Sequence, residues 1–222
     1  MIKKVILICF VLASSILYFG CSQENHPVGI DQSSQENKTA IVYNSFPWNW
    51  HLPYVGSAYI TQGHNGACWG AGGNPTHVGS MYYAVDFSGN GAAYGEPVKA
   101  CANGKVMFAG WDQGANYGFG NQVIVEAGPT GQPYPNQNNQ YLYRVAHLSS
   151  VSVVAGWEVE RGQTLGYVGS TGYSTGAHIH FEVKRGSYAG SGGISGESFP
   201  PSFSDGVDGY GGSCGYWQSS DQ

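Results

Sequence analysis

From about Trp50 to Arg185 the chain is a succession of short β-branched and aromatic runs, in which apolar and polar positions alternate, separated by glycine-rich turns. A period of two marks strands with one buried face. It predicts strands at Ala84–Phe87, Val98–Cys101, Lys105–Ala109, Gln122–Glu126, Tyr141–Ala146, Thr164–Val168 and His178–Lys184. No stretch shows the 3.6-residue period of an amphipathic helix. The expected fold is all-β, an antiparallel sheet or sandwich-like core with long loops flanking a groove. Asn103-Gly104 predicts a tight hairpin between the second and third strands. The segments 129–139 (PTGQPYPNQNN) and 169–176 (GSTGYSTG) read as loops bordering a cleft.

The two ends depart from this texture. Residues 1–20 combine Lys3 and Lys4 with an apolar run from Val5 to Phe19, the pattern of a processed export signal. Gly20-Cys21 resembles a lipoprotein cleavage site, so the one expected membrane contact is a lipid anchor at Cys21, and the expected location is the cell envelope or the exterior. Residues 21–50 read as a flexible tether, 51–185 as the folded domain, and 186–222 as a Gly/Ser-rich, irregular tail. Loss of residues 1–20 removes two lysines and leaves seven basic against fourteen acidic residues, a net charge of −7. That balance argues against nucleic acid as a partner. In an oxidising compartment one disulfide among Cys68, Cys101 and Cys214 is expected, with the pairing open.

The chemistry concentrates on histidine. In the run STGAHIHFEV, strand alternation turns His178, His180 and Glu182 to one face and Ile179, Phe181 and Val183 to the other. Two imidazoles on one strand face point to a metal ion. Asp86 stands between the apolar Val85 and Phe87, His77 lies upstream in NPTHVGS, and His147 closes the apolar run YLYRVAHLSS. Taken singly, each has an ordinary explanation: a hydrogen-bonded surface pair for the histidines, a turn cap for Asp86, a solvated strand position for Glu182. Most of the 16 tyrosines and 6 tryptophans are explained by strand packing, although a sugar-binding surface is the competing reading.

The order THVGSMYYAVDFSG, GEPVKACANGKVMFAG, GNQVIVEAG, YRVAHLS and VERGQTLGYVGSTGYSTGAHIHFEV resembles the lysostaphin/LytM-type zinc metallopeptidases over about residues 60–184. The resemblance implies Zn²⁺ held by His77, Asp86 and His180, with His147 and His178 as unligated catalytic imidazoles and Asn121 in a supporting position. His77 and Asp86 enclose eight residues, longer than the family's usual H-x-G-x-D-like segment and similar to the LasA and β-lytic branch. His64, in TQGHNGACWG, competes with His77 for the upstream position. The implied function is a monomeric zinc metalloendopeptidase acting on stem peptides or cross-bridges of peptidoglycan. The alternative is a non-catalytic wall-binding or hydrolase-activating protein of the same fold.

Overall fold

A computed structural model describes residues 50–67, 76–112, 118–128, 140–201, 203, 204 and 217–220, all within one compact unit, Val42–Gln222. The expected signal segment, the tether before Trp50, the loop 129–139, Cys68 and Cys214 lie outside the described residues. Strands dominate and no α-helix occurs among the described residues.

The strands are β1 (Gly56–Gln62), β2 (Val85–Ser88), β3 (Pro97–Lys99), β4 (Gly104–Trp111), β5 (Asn121–Ala127), β6 (Tyr141–Leu148), β7 (Ser150–Val151), β8 (Glu158–Val159), β9 (Thr164–Tyr167), β10 (Ile179–Gly190), β11 (Gly193–Phe199) and β12 (Trp217–Ser220). A nine-stranded sheet runs β12-β1-β2-β10-β6-β5-β4-β8, with β11 also paired to β10, and a three-stranded sheet runs β3-β9-β7. All these ladders are antiparallel. Strand β10 is the centre: β6 pairs with one edge, while β2 and then β11 take the other.

Alternation along β10 sends Ile179, Phe181 and Val183 into the core, where they join Val85, Phe87, Val123, Val125, Tyr143 and Val145. Val98 and Leu165 of the small sheet belong to the same buried cluster, which makes the core sandwich-like. Aromatic edges tighten it, with Trp50 and Tyr143 centroids 5.4 Å apart and Phe181 and Phe203 also 5.4 Å apart.

The all-β, antiparallel expectation holds and the seven predicted strands all appear, with β10 running on past Lys184 to Gly190, while three local expectations need correction. Asn103-Gly104 joins no hairpin. Strand β3 pairs with β9 in the small sheet, β4 pairs with β5 and β8 in the large one, and neither Asn103 nor Gly104 adopts the positive φ of a type I′ turn. Trp50, at the end of the expected tether, is buried in the core. The expected irregular tail contributes the last residues of β10 together with β11 and β12. Its Gly/Ser-rich ladder is held by backbone bonds and leaves β11 residues half-buried or exposed, so no apolar alternation announces it. Cys101 is buried in the core with its Sγ 3.8 Å from the Lys99 carbonyl.

Phe181 touches the core from the strand that carries the histidines, so truncation there tests the frame. Phe181→Ala is expected to lower unfolding free energy by about 3–5 kcal/mol in urea titrations.

Candidate metal centre and groove

The β2–β10 register sets His180 directly opposite Asp86. Because Val85 and Phe87 face the core, the carboxylate between them points to the opposite face, the same one that His180 occupies. His77 reaches this point from the segment ahead of a 3₁₀ turn at Gly79–Met81. The buried Gln62 anchors it: with its amide oriented to satisfy its neighbours, the oxygen accepts the backbone N–H groups of Thr76 and His77 at 3.1 and 2.9 Å. The ring is fixed by Nδ1–H donating to the Gly63 carbonyl at 3.2 Å.

Three donor atoms therefore converge. His77 Nε2 lies 3.2 Å from Asp86 Oδ1, His180 Nδ1 lies 3.0 Å from the same oxygen, and the two nitrogens are 3.3 Å apart. Among the described residues these three form a group able to hold a metal. Ligands at tetrahedral corners around zinc, each about 2.0–2.1 Å from it, stand about 3.3 Å from one another, so the spacing fits. The protons fit as well. With Nδ1–H of His77 given to Gly63, neutral His77 presents a lone pair at Nε2, and one proton on His180 Nδ1 satisfies only one of the three contacts. A divalent cation satisfies all three, and a nitrogen–nitrogen–carboxylate set suits zinc.

Electrostatics agree with a site kept ready for a cation. Burial alone raises the Asp86 carboxyl, but the contacts from His180 and His77 outweigh it and hold the group well below the usual carboxylate range. Burial lowers His180 below the ordinary histidine value, against the opposing pull of Asp86. His64 is not among the converging donors. It stacks edge-on to Tyr83 at 5.3 Å, and burial, with His77 nearby, lowers it to about 4.

The other two imidazoles border the same space. His178 donates Nδ1–H to the Gly176 carbonyl at 2.9 Å, which leaves Nε2, 3.8 Å from Asp86 Oδ2, as its acceptor. His147 is a more demanding placement. Alternation in β6 assigns it to the core face with Val145, yet its side chain lines the groove with its ring 4.6 Å from that of His178. A β-bulge explains this: Asn121 pairs with Leu148 and Val123 with Val145, so β6 carries one residue more than β5 here. His147 takes up the irregularity at φ +63, a conformation that costs a non-glycine residue of order 1–3 kcal/mol. It is held by its N–H to the Phe119 carbonyl (2.9 Å) and by Nδ1–H to the Thr171 carbonyl (2.8 Å). Burial, helped by His180 and His178, lowers His147 to about 3, so it is neutral at neutral pH.

Asn121 stands one step further out. Its backbone N–H donates to Thr171 Oγ1 at 2.9 Å and its side-chain amide to the Ser149 carbonyl at 3.4 Å, so it steadies the residue that orients His147. Glu182, read from sequence as a solvated position, is fully buried and lies 2.8 Å from Arg144, because the face that it shares with His180 is covered. The Gly192 carbonyl at the β10–β11 turn accepts from Arg144 and Gln122 on that face, and a Cβ at Gly192, φ +83, would meet Gln122 Nε2 at 2.5 Å. Sequence reasoning missed Gln62, Arg144 and Phe119. Only Arg144 carried a signal, a lone charge inside the apolar run YLYRVAHL.

The donors open onto a groove of about 620 Å³ whose walls include Gln62, Met81, Phe119, Tyr173 and Thr175. No Lys, Arg or Glu lines it among the described residues, and Asp86 is its carboxylate.

An antiparallel β scaffold with a His-Asp-His donor set and two free imidazoles at the floor of a groove is the framework of a metallopeptidase. The sequence model of peptidase family M23 matches residues 80–191, about half of the chain, and the chain belongs to that family. Asp86, Asn121, His147, His178 and His180 fall inside the match, and His77 lies just upstream of it. The chain is 40% identical over 127 residues to lysostaphin of Staphylococcus simulans, which covers 55% of this chain and 22% of that protein. It is 38% identical over 125 residues to the glycyl-glycine endopeptidase ALE-1 of Staphylococcus capitis, covering 54% of this chain and 30% of the relative. The solved catalytic domain of lysostaphin from Staphylococcus simulans superposes with a TM-score of 0.42 at 34% identity, over 61% of this chain and 84% of that one. The chain thus spans less than a third of the length of these two relatives.

The lowered histidines have a consequence for stability. A histidine whose folded pKa lies below its unfolded value binds more protons when unfolded, so its contribution is present above the unfolded value near 6.5 and is lost as pH falls toward the folded value. Metal-free protein is expected to unfold at lower urea at pH 5 than at pH 7. His147→Gln narrows that difference, and an unchanged difference contradicts the assignment.

Proposed function

We propose that this protein is an exported zinc metalloendopeptidase that hydrolyses peptide bonds in peptidoglycan stem peptides or cross-bridges. The observation that carries the reading is the meeting of His77 Nε2, Asp86 Oδ1 and His180 Nδ1 within 3.3 Å beside two imidazoles whose Nδ1–H groups are spent on backbone carbonyls. Zinc bound there supplies Lewis acidity, bringing the pKa of a water toward neutrality and polarising the scissile carbonyl.

The chain's own residues supply the proton handling. His178 Nε2 stands at the rim of the donor set, 3.8 Å from Asp86 Oδ2, in position to take the proton of the attacking water and pass it to the leaving amine. His147, neutral and oriented through Thr171, lies against His178 and completes the wall on which the tetrahedral centre forms. Among the described residues the groove is lined by no Lys, Arg or Glu, which favours a substrate strand without charged side chains, and the glycyl-glycine activity named for the Staphylococcus capitis relative supports glycyl bonds as the target. Lys3, Lys4, the apolar run and Gly20-Cys21 support export, with Cys21 as a lipid attachment point.

Purified protein is expected to carry about one zinc per chain and to solubilise cell-wall preparations or cleave a glycine oligopeptide until a chelator is added. His180→Ala is expected to lose both zinc and activity. His178→Ala and His147→Ala are expected to keep zinc while turnover falls about 10²–10⁴-fold. Zinc without hydrolysis of any wall preparation would favour a hydrolase activator, and absence of zinc would refute the reading altogether.

A further inference from the structure

Behind the donor set, on the covered face of β6 and β10, lies a charged group that peptide hydrolysis as outlined above does not use. Arg144 is almost fully buried and sits opposite Glu182 in the β6–β10 ladder. Its Nη1 is 2.8 Å from Glu182 Oε1, its Nη2 donates to the Gly192 carbonyl at 3.0 Å, and Lys184 Nζ approaches Glu182 Oε2 at 3.8 Å. Replacing such a buried pair by apolar side chains is often neutral or stabilising, so stability alone does not account for it. What distinguishes this guanidinium is that its Cζ lies over the Phe119 ring, 3.8 Å from the centroid.

Phe119 is itself held from several sides. Its N–H donates to Asp112 Oδ2 at 3.2 Å, and its carbonyl accepts the N–H of His147. Its ring is 5.3 Å from the His180 imidazole and 6.5 Å from that of His147. The need for such a contact is visible at His180. A ligating histidine ordinarily has its second ring nitrogen fixed by a hydrogen bond. His180 Nε2 is buried and has no hydrogen-bond partner, so that end of the ring is oriented by packing.

We propose that Arg144 is a positioning residue for the metal centre: clamped by Glu182 and the Gly192 carbonyl, it fixes the Phe119 ring, and Phe119 fixes the His180 imidazole in the ligating orientation. The inference rests on the zinc peptidase reading, and it makes the purchase of His180 on the metal depend on a side chain that neither ligates nor lines the groove.

The experiment compares wild type, Arg144→Lys, Phe119→Leu and the double variant by zinc affinity, measured through chelator competition, and by kcat and KM on a glycine oligopeptide. Arg144→Lys keeps a partner for Glu182 and removes the flat stack, while Phe119→Leu leaves the ion pair intact and removes the ring, so the second carries the test if the first fails to fold. Each single variant is expected to bind zinc about 10–100-fold more weakly at unchanged stoichiometry. KM of Arg144→Lys stays within about twofold of wild type, since Arg144 is not part of the groove wall. The double variant is expected to be no weaker than about the weaker single, because the two side chains act in series. Folded variants with wild-type zinc affinity overturn the proposal, as do single effects that multiply in the double. If wild type binds zinc and hydrolyses nothing, the peptidase reading falls while the affinity measurements still decide the role of Arg144. If wild type binds no zinc, both fall.

Discussion

Three lone-pair donors buried within 3.0–3.3 Å of one another, with too few protons between them, are the constraint on which this structure turns. Hydrogen bonds cannot satisfy the set once His77 has given its Nδ1–H to Gly63, and unsatisfied buried polar groups cost of order 1–3 kcal/mol each. The sheet contributes two of the three through a register that cannot slip. Moving β10 by one residue against β2 turns His180 into the core and sets Ile179 or Phe181 among the donors. The apolar triplet of β10 thus fixes the chemistry of the opposite face. The third donor comes from outside the ladder and depends on Gln62 and Gly63, at the end of β1, to bring its ring into line.

The remainder of the groove is arranged by local departures from regular sheet. Without the bulge at His147, alternation would bury that imidazole beside Val145, and the positive φ is the backbone cost of turning it to the groove. The contacts that hold it there all come from the neighbouring loops: the Phe119 carbonyl accepts its N–H, the Thr171 carbonyl accepts its Nδ1–H, and Asn121 grips Thr171. Gly120 lets these loops meet, since a Cβ there would stand 2.4 Å from Thr171. At the groove, His147 thus combines a strained backbone with a close approach of the loops that hold it, at a position where a function can repay the cost.

Much of this was legible in the sequence, for reasons that also explain what was not. Strands with an apolar face, such as Tyr141–Leu148 and the histidine strand, declare themselves by period, and the residues of the donor set stand out as polar side chains in apolar settings. Strand β1 escaped because its inward positions are Ala58, Ile60 and Gln62, only two of them apolar. Strand β11 escaped because backbone pairing holds it without a buried row of side chains. The Asn103-Gly104 signal misled because a short-range turn preference was overruled by the pairing of β3 with β9 in the other sheet. Glu182 was misread because period two identifies which residues share a face and not whether that face meets water. Its partner Arg144 is held in turn by the Gly192 carbonyl of the β10–β11 turn, which has no side chain to betray it.

Charge distribution links the buried network to the groove. The chain is acidic as a whole, yet among the described residues the groove offers one carboxylate, and Glu182 beneath it is flanked by Arg144 and Lys184. In the proposed reading, a divalent cation held by His77, Asp86 and His180 would leave one formal positive charge at the floor, and Glu182 behind it is already paired with Arg144. Electrostatic stabilisation of a developing oxyanion is strongest where donors and charges are fixed in advance and water is excluded. In the reading proposed above, one guanidinium serves this in two ways: it pairs with Glu182, and it lies over the Phe119 ring that packs 5.3 Å from the His180 imidazole.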